Sequence, residues 1–150
     1  MIKNNQLSVL VIGFNSRPIV DSAVKASYNV FCVDYWGDMD VKAKCRRVIS
    51  MQSYGLRKSI ARKKIGEELY LKAVDEITEK FSVDFALIGS GFDDNPNFWS
   101  KLRSKVKVLG NNSDTIRRAR DWRFLFKLCD NYGISYPESR FVKDRFEAVE

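Results

Sequence analysis

The sequence predicts an α/β fold, a doubly wound parallel sheet of about five strands in the order 3-2-1-4-5 with a helical extension after it. Three observations predict it. Short continuous apolar runs recur at Val9 to Ile12, Val30 to Val33 and Phe85 to Ile88, as expected of strands covered by helices on both faces. The segments between them carry apolar residues at helical spacing. Each run ends in a glycine or an acid that opens a loop containing polar residues, which places the loops with chemistry at the carboxyl ends of the strands, the ligand side of such a sheet.

The first strand stops at Gly13. Pro18 suits the first helical turn, because the amide it lacks would have no partner there, and Ile19, Val20, Ala23 and Val24 share one face. Val30 to Val33 return as a buried strand. A crossover of this length makes the two strands parallel and the connection right-handed, the first half of a Rossmann-like sheet. After Asp34, the stretch YWGDMDVKAKCRR reads as a loop, with Asp38 and Asp40 as turn and capping residues. Its Tyr35 and Trp36 either cover the sheet edge or stack on a ring. Val48 to Ser50 supply a short edge strand, the third, and Gln52 to Lys64 show no periodicity. From Ile65 onward, Leu69, Ala73, Val74, Ile77 and Phe81 mark the buried face of a long helix, with Glu67, Glu68, Asp75, Glu76 and Lys80 opposite. Phe85 to Ile88 form the fourth strand, DDNP opens a helix over Asn97 to Lys105, and Val106 to Leu109 give the fifth strand. Beyond Asn112, two helices follow in succession, Ser113 to Arg120, capped by Ser113 or Asp114, and Trp122 to Tyr132, stopped by Gly133. The second presents Trp122, Leu125, Phe126, Cys129 and Tyr132 on one face and is too apolar for a solvent linker.

A chain of 150 residues with 45% hydrophobic content buries one core of ordinary size, so one domain over 1–111 and an appendage over 112–150 are expected. No apolar run approaches the roughly 18 residues of a membrane span, and the first residues are polar where a signal peptide needs its apolar segment. The expected location is the cytoplasm. Cys32, Cys45 and Cys129 are widely spaced and the chain has no histidine, which reads as free thiols rather than a zinc site. The net charge of +7 is densest from Arg57 to Lys64, where no stacking aromatics alternate with the basic residues. That run reads as a solvated segment, and no specific nucleic-acid partner is expected.

The candidate ligand-binding residues stand at strand ends. A dinucleotide-binding loop would carry GxGxxG after the first strand, and only Gly13 is present, although Asp34 stands where a ribose-binding acid would. Asn15, Ser16 and Arg17 instead place short polar groups and a guanidinium at a helix amino terminus, where free amides and the dipole favour an anion by about 0.3–1 kcal/mol. The alternative is that Asn15 or Ser16 caps the helix and Arg17 pairs with a neighbouring acid. After the fourth strand, Gly91 permits close approach of a ligand, and Asp93 and Asp94 can chelate, orient an amine or start the next helix. Asn111 closes the fifth strand on the same side.

The succession VLVIGFNSRPIVDSAV, FCVDYWGDMD, ALIGSGFDDNP, VKVLGNNSDTIRRARD and FLFKLCDNYGISYPES resembles the amino-terminal part of ATP-grasp ligases, in particular archaeal-type carboligases similar to biotin carboxylase. The resemblance covers nearly the whole chain and rests most on SRP from Ser16, DYWGDMD from Asp34, SGFDD from Ser90, LGN from Leu109 and YGISYPES from Tyr132. It implies a preATP-grasp domain over 1–111 and the start of the ATP-grasp fold over 112–150. Enzymes of this family use ATP and magnesium to turn a carboxylate into an acyl phosphate, which an amine or similar nucleophile attacks. The carboxylate needs its oxygen made into a leaving group, and the transferring phosphoryl needs cations to offset its charge. The resemblance puts the nucleotide lysines and metal ligands after Glu150. It therefore assigns no catalytic, cofactor or metal residue here, and neither ATP nor magnesium is expected to bind tightly to this chain. The lysine that often follows the aspartate opening the last helix is replaced, since Asp121 precedes Trp122 and Arg123. What remains for this chain is one wall of a substrate cleft, inactive alone. Arg17 and the amides near Asn15 and Ser16 would hold an anionic group of a small carboxylate substrate, and Asp93 or Asp94 would orient the amine. A second copy is a candidate partner for the last helix. The other reading is a stand-alone Rossmann-like module that binds a nucleotide or acyl-CoA and catalyses nothing.

Overall fold

The structure, a computed structural model, describes residues 6–57, 66–92 and 95–143. The chain divides into two compact units, Met1–Arg117 and Arg118–Glu150. In the first, β1 (Ser8–Gly13), α1 (Arg17–Lys25), β2 (Asn29–Asp34), α2 (Met39–Lys44), β3 (Arg47–Ser50) and α3 (Met51–Arg57) are followed by α4 (Glu67–Thr78), β4 (Phe85–Ile88) and α5 (Pro96–Arg103). The strands form one parallel sheet ordered β3-β2-β1-β4. Val9 and Val11 of β1 meet Val20 and Ala23 of α1 and Val41 of α2 on one face. Leu10 and Ile12 meet the apolar residues of α3, α4 and α5 on the other. This alternation is the period of a strand covered on both sides, and each fully buried aliphatic side chain contributes about 1.5–3 kcal/mol.

The expected fifth strand is a correction. Among the described residues the sheet has four strands, and the segment after α5 touches β4 through a single parallel bridge, Ala86 with Val108. Ala86 N–H donates to the Lys107 carbonyl at 2.8 Å, and Leu109 N–H donates to the Ala86 carbonyl at 2.9 Å. The ladder extends no further because α5 claims both sides of it. The amides of Lys105 and Val106 still donate to the Leu102 carbonyl. Beyond the bridge, the Arg103 guanidinium takes the carbonyls of Val108, Gly110 and Asn111 at 3.2, 2.9 and 2.8 Å, and Gly110 turns at a φ of +131°. The order of the four strands, with Val108 beyond β4, follows the expected sequence of positions.

Two short helices replace expected loop. The six-residue α2 buries only Val41, and α3 buries Met51 and Tyr54, so neither leaves a periodic stripe in the sequence. Asp38 holds the N-cap position of α2 without capping it. The basic run after Arg57, and Ile65 at the expected start of α4, lie outside the described residues. Helix starts are set by Asn95, whose Oδ1 accepts from Phe98 N–H at 3.1 Å, and by Asn112, whose Oδ1 accepts from Thr115 N–H at 2.8 Å. Asn112, rather than Ser113 or Asp114, thus caps α6 (Ser113–Ala119).

In the second unit, α7 (Trp122–Tyr132) begins at Asp121, whose carboxylate accepts from the amides of Arg123 and Phe124, and ends at Gly133 in the left-handed conformation. The segment after it folds back on the helix. Tyr136 stacks on Phe126 with centroids 4.5 Å apart, and its hydroxyl donates to Asp130 at 3.0 Å. None of the residues of α7 is buried, and Trp122 remains 62% exposed. No helix among the described residues is long and apolar enough to cross a membrane.

Candidate functional site

Asp34, at the end of β2, organises the loops on the carboxyl side of the sheet. It is buried, one oxygen accepts from Ser16 N–H at 2.8 Å, and the other accepts from Trp36 and Gly37 N–H at 2.9 and 2.7 Å. A carboxylate that collects three amides ties the start of α1 to the turn after β2, and charge-assisted bonds of this kind are the strong ones. The amides at the head of α1 are thereby used. Ser16 N–H goes to Asp34, Arg17 N–H to Asn15 Oδ1 at 3.3 Å, and Pro18 has none. Gly13 makes room for this arrangement, since a Cβ there would stand 2.9 Å from Ser16 Oγ. Arg17 reaches from α1 to α2, where its guanidinium pairs with Asp38 and Asp40 at 2.7 Å each. All three side chains are about half exposed, with 49, 45 and 40% of their surface open, so each pair contributes less than about 1 kcal/mol and exchanges readily with solvent.

Beside this loop network lies a cleft of about 210 Å³ lined by Phe14, Tyr35, Gly66, Glu67, Tyr70, Gly91 and Phe92. The strand order reverses between β1 and β4, and Phe14 and Gly91 follow those two strands, so the cleft sits at the topological switch point of the sheet. Phe14 N–H donates to the Ser90 carbonyl at 2.8 Å, which draws the two strand ends together. Gly91 adopts a φ of +102°, and a Cβ there would come within 2.9 Å of the Phe14 Cβ. The walls are aromatic. Phe14 stacks on Tyr35 at 4.6 Å, Tyr70 meets Phe92 edge-on at 4.9 Å, and Phe92 is fixed from behind by Phe98 at 4.1 Å and by its carbonyl accepting from Trp99 Nε1 at 2.9 Å. The polar groups are Glu67, whose Oε1 accepts from Asn95 Nδ2, and Tyr70. Burial, with the Asp34 carboxylate nearby, pushes the Tyr70 phenol above its usual range. It stays protonated at neutral pH. The arrangement can therefore bind a flat group between rings and hydrogen-bond its edge.

The structure gathers Gly13, Asn15, Ser16, Arg17 and Asp34 into one loop network and puts Gly91 in the cleft next to it. Asn111 is exposed and its carbonyl serves Arg103. Asp93 and Asp94 lie outside the described residues. The sequence reading missed Phe14, Glu67, Tyr70 and Phe92. A signal for two of them is present, because one Gly-Phe pair, Gly13-Phe14, stands at the carboxyl end of β1 and another, Gly91-Phe92, in the loop after β4. Glu67 reads from the sequence only as helix surface, and nothing in the sequence singles out Tyr70. Among the described residues no three His, Cys, Asp or Glu side chains converge as a metal site, and the amides heading α1 are already bonded, so these residues do not fit magnesium or a nucleotide phosphate.

Solved structures share this architecture. The ADP complex of PurK, N5-carboxyaminoimidazole ribonucleotide synthetase, superimposes with a TM-score of 0.61 at 13% identity, over 99% of this chain and 36% of that one. Two structures of pyruvate carboxylase from Rhizobium etli give 0.58 each, at 16 and 14% identity, over 89 and 93% of this chain and 14 and 13% of theirs. The likeness is one of fold. By sequence, the chain is 27% identical over 141 residues to an uncharacterized protein of Methanocaldococcus jannaschii, covering 93% of this chain and 34% of that protein. The chain thus spans about a third of the length of that relative. No protein-family model matches it.

Proposed function

We propose that the chain is the amino-terminal, substrate-side part of an ATP-dependent ligase that joins a carboxylate to an amine or related nucleophile through an acyl phosphate, and that it is not catalytic alone. The division at about residue 111 into a preATP-grasp domain and the beginning of the ATP-grasp fold belongs to the same proposal, as does the kinship with archaeal-type carboligases. The observation that carries it is the aromatic cleft at the switch point, in a fold shared with PurK and pyruvate carboxylase. ATP and magnesium, with the groups that hold them, would be supplied by parts of the enzyme other than the residues described here.

In this reading Phe14, Tyr35 and Phe92 hold the flat part of a substrate, and Tyr70 donates to its edge. Arg17 exchanges its exposed pairs with Asp38 and Asp40 for an anionic group of the substrate. Asp34 acts as a positioning residue, keeping Ser16 and Trp36 in place through their amides. Asp93 or Asp94, next in sequence after Phe92, orients the nucleophile. The test is steady-state kinetics of Arg17→Ala in the full-length enzyme. The Michaelis constant for the acid should rise by about tenfold, the equivalent of losing one charge-assisted contact of about 1.4 kcal/mol, with turnover little changed. Unchanged constants for every substrate would remove Arg17 from the role. Asp93→Asn and Asp94→Asn test the nucleophile-orienting role by the same measurement, with the amine as the varied substrate. Saturable nucleotide binding by the 150-residue chain alone at moderate salt would instead favour a binding module.

A further inference from the structure

The aromatic cleft carries a pattern of donors and acceptors that narrows what it can take. Among the described residues its lining holds the rings of Phe14, Tyr35, Tyr70 and Phe92, the carboxylate of Glu67, and no lysine or arginine. Glu67 and Tyr70 stand three residues apart on α4, so they leave the helix as neighbours on one face. Glu67 gives Oε1 to Asn95 Nδ2, and its Oε2 has no hydrogen bond among the described residues. The Tyr70 side chain is only 4% exposed, and its hydroxyl has no hydrogen-bond partner among the described residues either. A polar group so enclosed is costly until something bonds to it. The cleft thus sets one acceptor and one donor side by side between ring faces. Its volume of about 210 Å³ is below the roughly 300–1,000 Å³ of sites that enclose a drug-sized ligand, and suits one ring of a larger molecule.

We propose that the flat group taken by this cleft is a nitrogen heterocycle whose edge presents a ring nitrogen with a free lone pair beside an exocyclic amino group, the edge of an aminopyrimidine. Glu67 accepts from the amino group, Tyr70 donates to the ring nitrogen, and Phe14, Tyr35 and Phe92 cover the ring. A ring that lacks either group leaves one of the two protein groups unpaired, which is how a hydrogen-bonding site rejects an analogue of the right shape. An anionic substituent on the ring is rejected for another reason. It would meet the Glu67 carboxylate and the negative faces of the aromatic rings with no lysine or arginine in the lining to offset it. The anionic group of the same substrate is therefore left to Arg17, outside the lining of the cleft. The inference rests on the reading of the cleft as the place of a substrate's flat part and names the class of that part.

The test is the binding of single-ring probes to the 150-residue chain, read by saturation-transfer NMR on the ring protons of each probe. 2-Aminopyrimidine should bind saturably. Pyrimidine, which lacks the amino group, and aniline, which lacks the ring nitrogen, should each bind about fivefold more weakly, the loss of one hydrogen bond. Pyrimidine-2-carboxylate should not compete with 2-aminopyrimidine. In Glu67→Gln, pyrimidine should bind as well as 2-aminopyrimidine and the carboxylate should begin to compete. In Tyr70→Phe, aniline should draw level with 2-aminopyrimidine. No saturable binding of 2-aminopyrimidine, equal affinity of the three neutral rings, competition by the carboxylate in the unaltered chain, or discrimination that survives both substitutions would each overturn the proposal. Its failure is separable from that of the ligase reading. Equal binding of the neutral rings, beside a full-length enzyme that joins a carboxylate to an amine, removes only the heterocycle. Discrimination among the rings, beside a full-length enzyme that consumes no ATP with any acid, removes only the ligase.

Discussion

At the scale of the residue, the consequential side chains are those that serve backbone rather than solvent. Asp34 stands at a strand end where a ribose-binding acid would stand, yet both of its oxygens are taken by the amides of Ser16, Trp36 and Gly37. Asp34→Asn turns an acceptor toward donors and should lower the unfolding free energy by roughly 3 kcal/mol, read as a fall in the urea midpoint at constant slope. A loss within a few tenths would mean the three bonds are replaceable by water. Tyr70 sets a pH dependence. Its phenol titrates above the ordinary tyrosine value of about 10 when folded, so the folded chain holds the proton where the unfolded chain has lost it. Its contribution is complete below pH of about 10 and declines as pH rises above that toward the folded value. The slope of melting temperature against pH above 10 should flatten in Tyr70→Phe, and an unaltered slope would assign the alkaline loss to other groups, Cys32 among them. None of this was legible in the sequence, which shows an acid after a strand and a tyrosine in a helix but not what encloses them.

At the scale of the element, the strands, including the short edge strand at Val48 to Ser50, and the long helix read correctly, while the short helices α2 and α3 did not. The strands at Val9 and Val30 and the helix with Leu69, Ala73 and Ile77 each bury several residues, and the strand at Phe85 buries Ala86 and packs its other three side chains against the two cores. By contrast α2 buries only Val41, and a single buried residue has no period. The fifth strand failed for a different reason. Its residues carry a strand's apolar pattern, but Arg103 competes for the carbonyls after Val108, and the end of α5 holds the amides before it. Arg103→Ala should therefore cost about 1–2 kcal/mol and speed hydrogen exchange at the Leu109 amide, which bonds to Ala86, while the Ile12 amide exchanges as before. Equal exchange at Leu109 in both proteins would show that the bridge holds without the guanidinium.

At the scale of the whole molecule, the two units differ in how their apolar residues are used. In Met1–Arg117 they make two cores, one on each sheet face. In Arg118–Glu150 the rings of Trp122, Phe126, Tyr136 and Phe141 pack on one another around a groove of about 290 Å³, and α7 buries none of its residues. Such a surface favours association. Sedimentation at several concentrations should show a mass rising toward that of a dimer, reduced in Trp122→Ala, and a monomer at every concentration would remove self-association through α7. The sequence by itself determined the class of fold and the order in which its elements follow, because burial on both faces of a sheet requires continuous apolar runs and burial on one face of a helix requires a period, and both are local patterns along the chain. Only the tertiary structure decided what stands at the candidate site. Phe14, Tyr35, Glu67, Tyr70 and Phe92 come from four separate segments, and Ser16, which Asp34 holds, and Asp38 and Asp40, which Arg17 holds, are remote in sequence from their partners. A cleft and a hydrogen bond are set by distances in space, and these exist only once the sheet has brought the strand ends together.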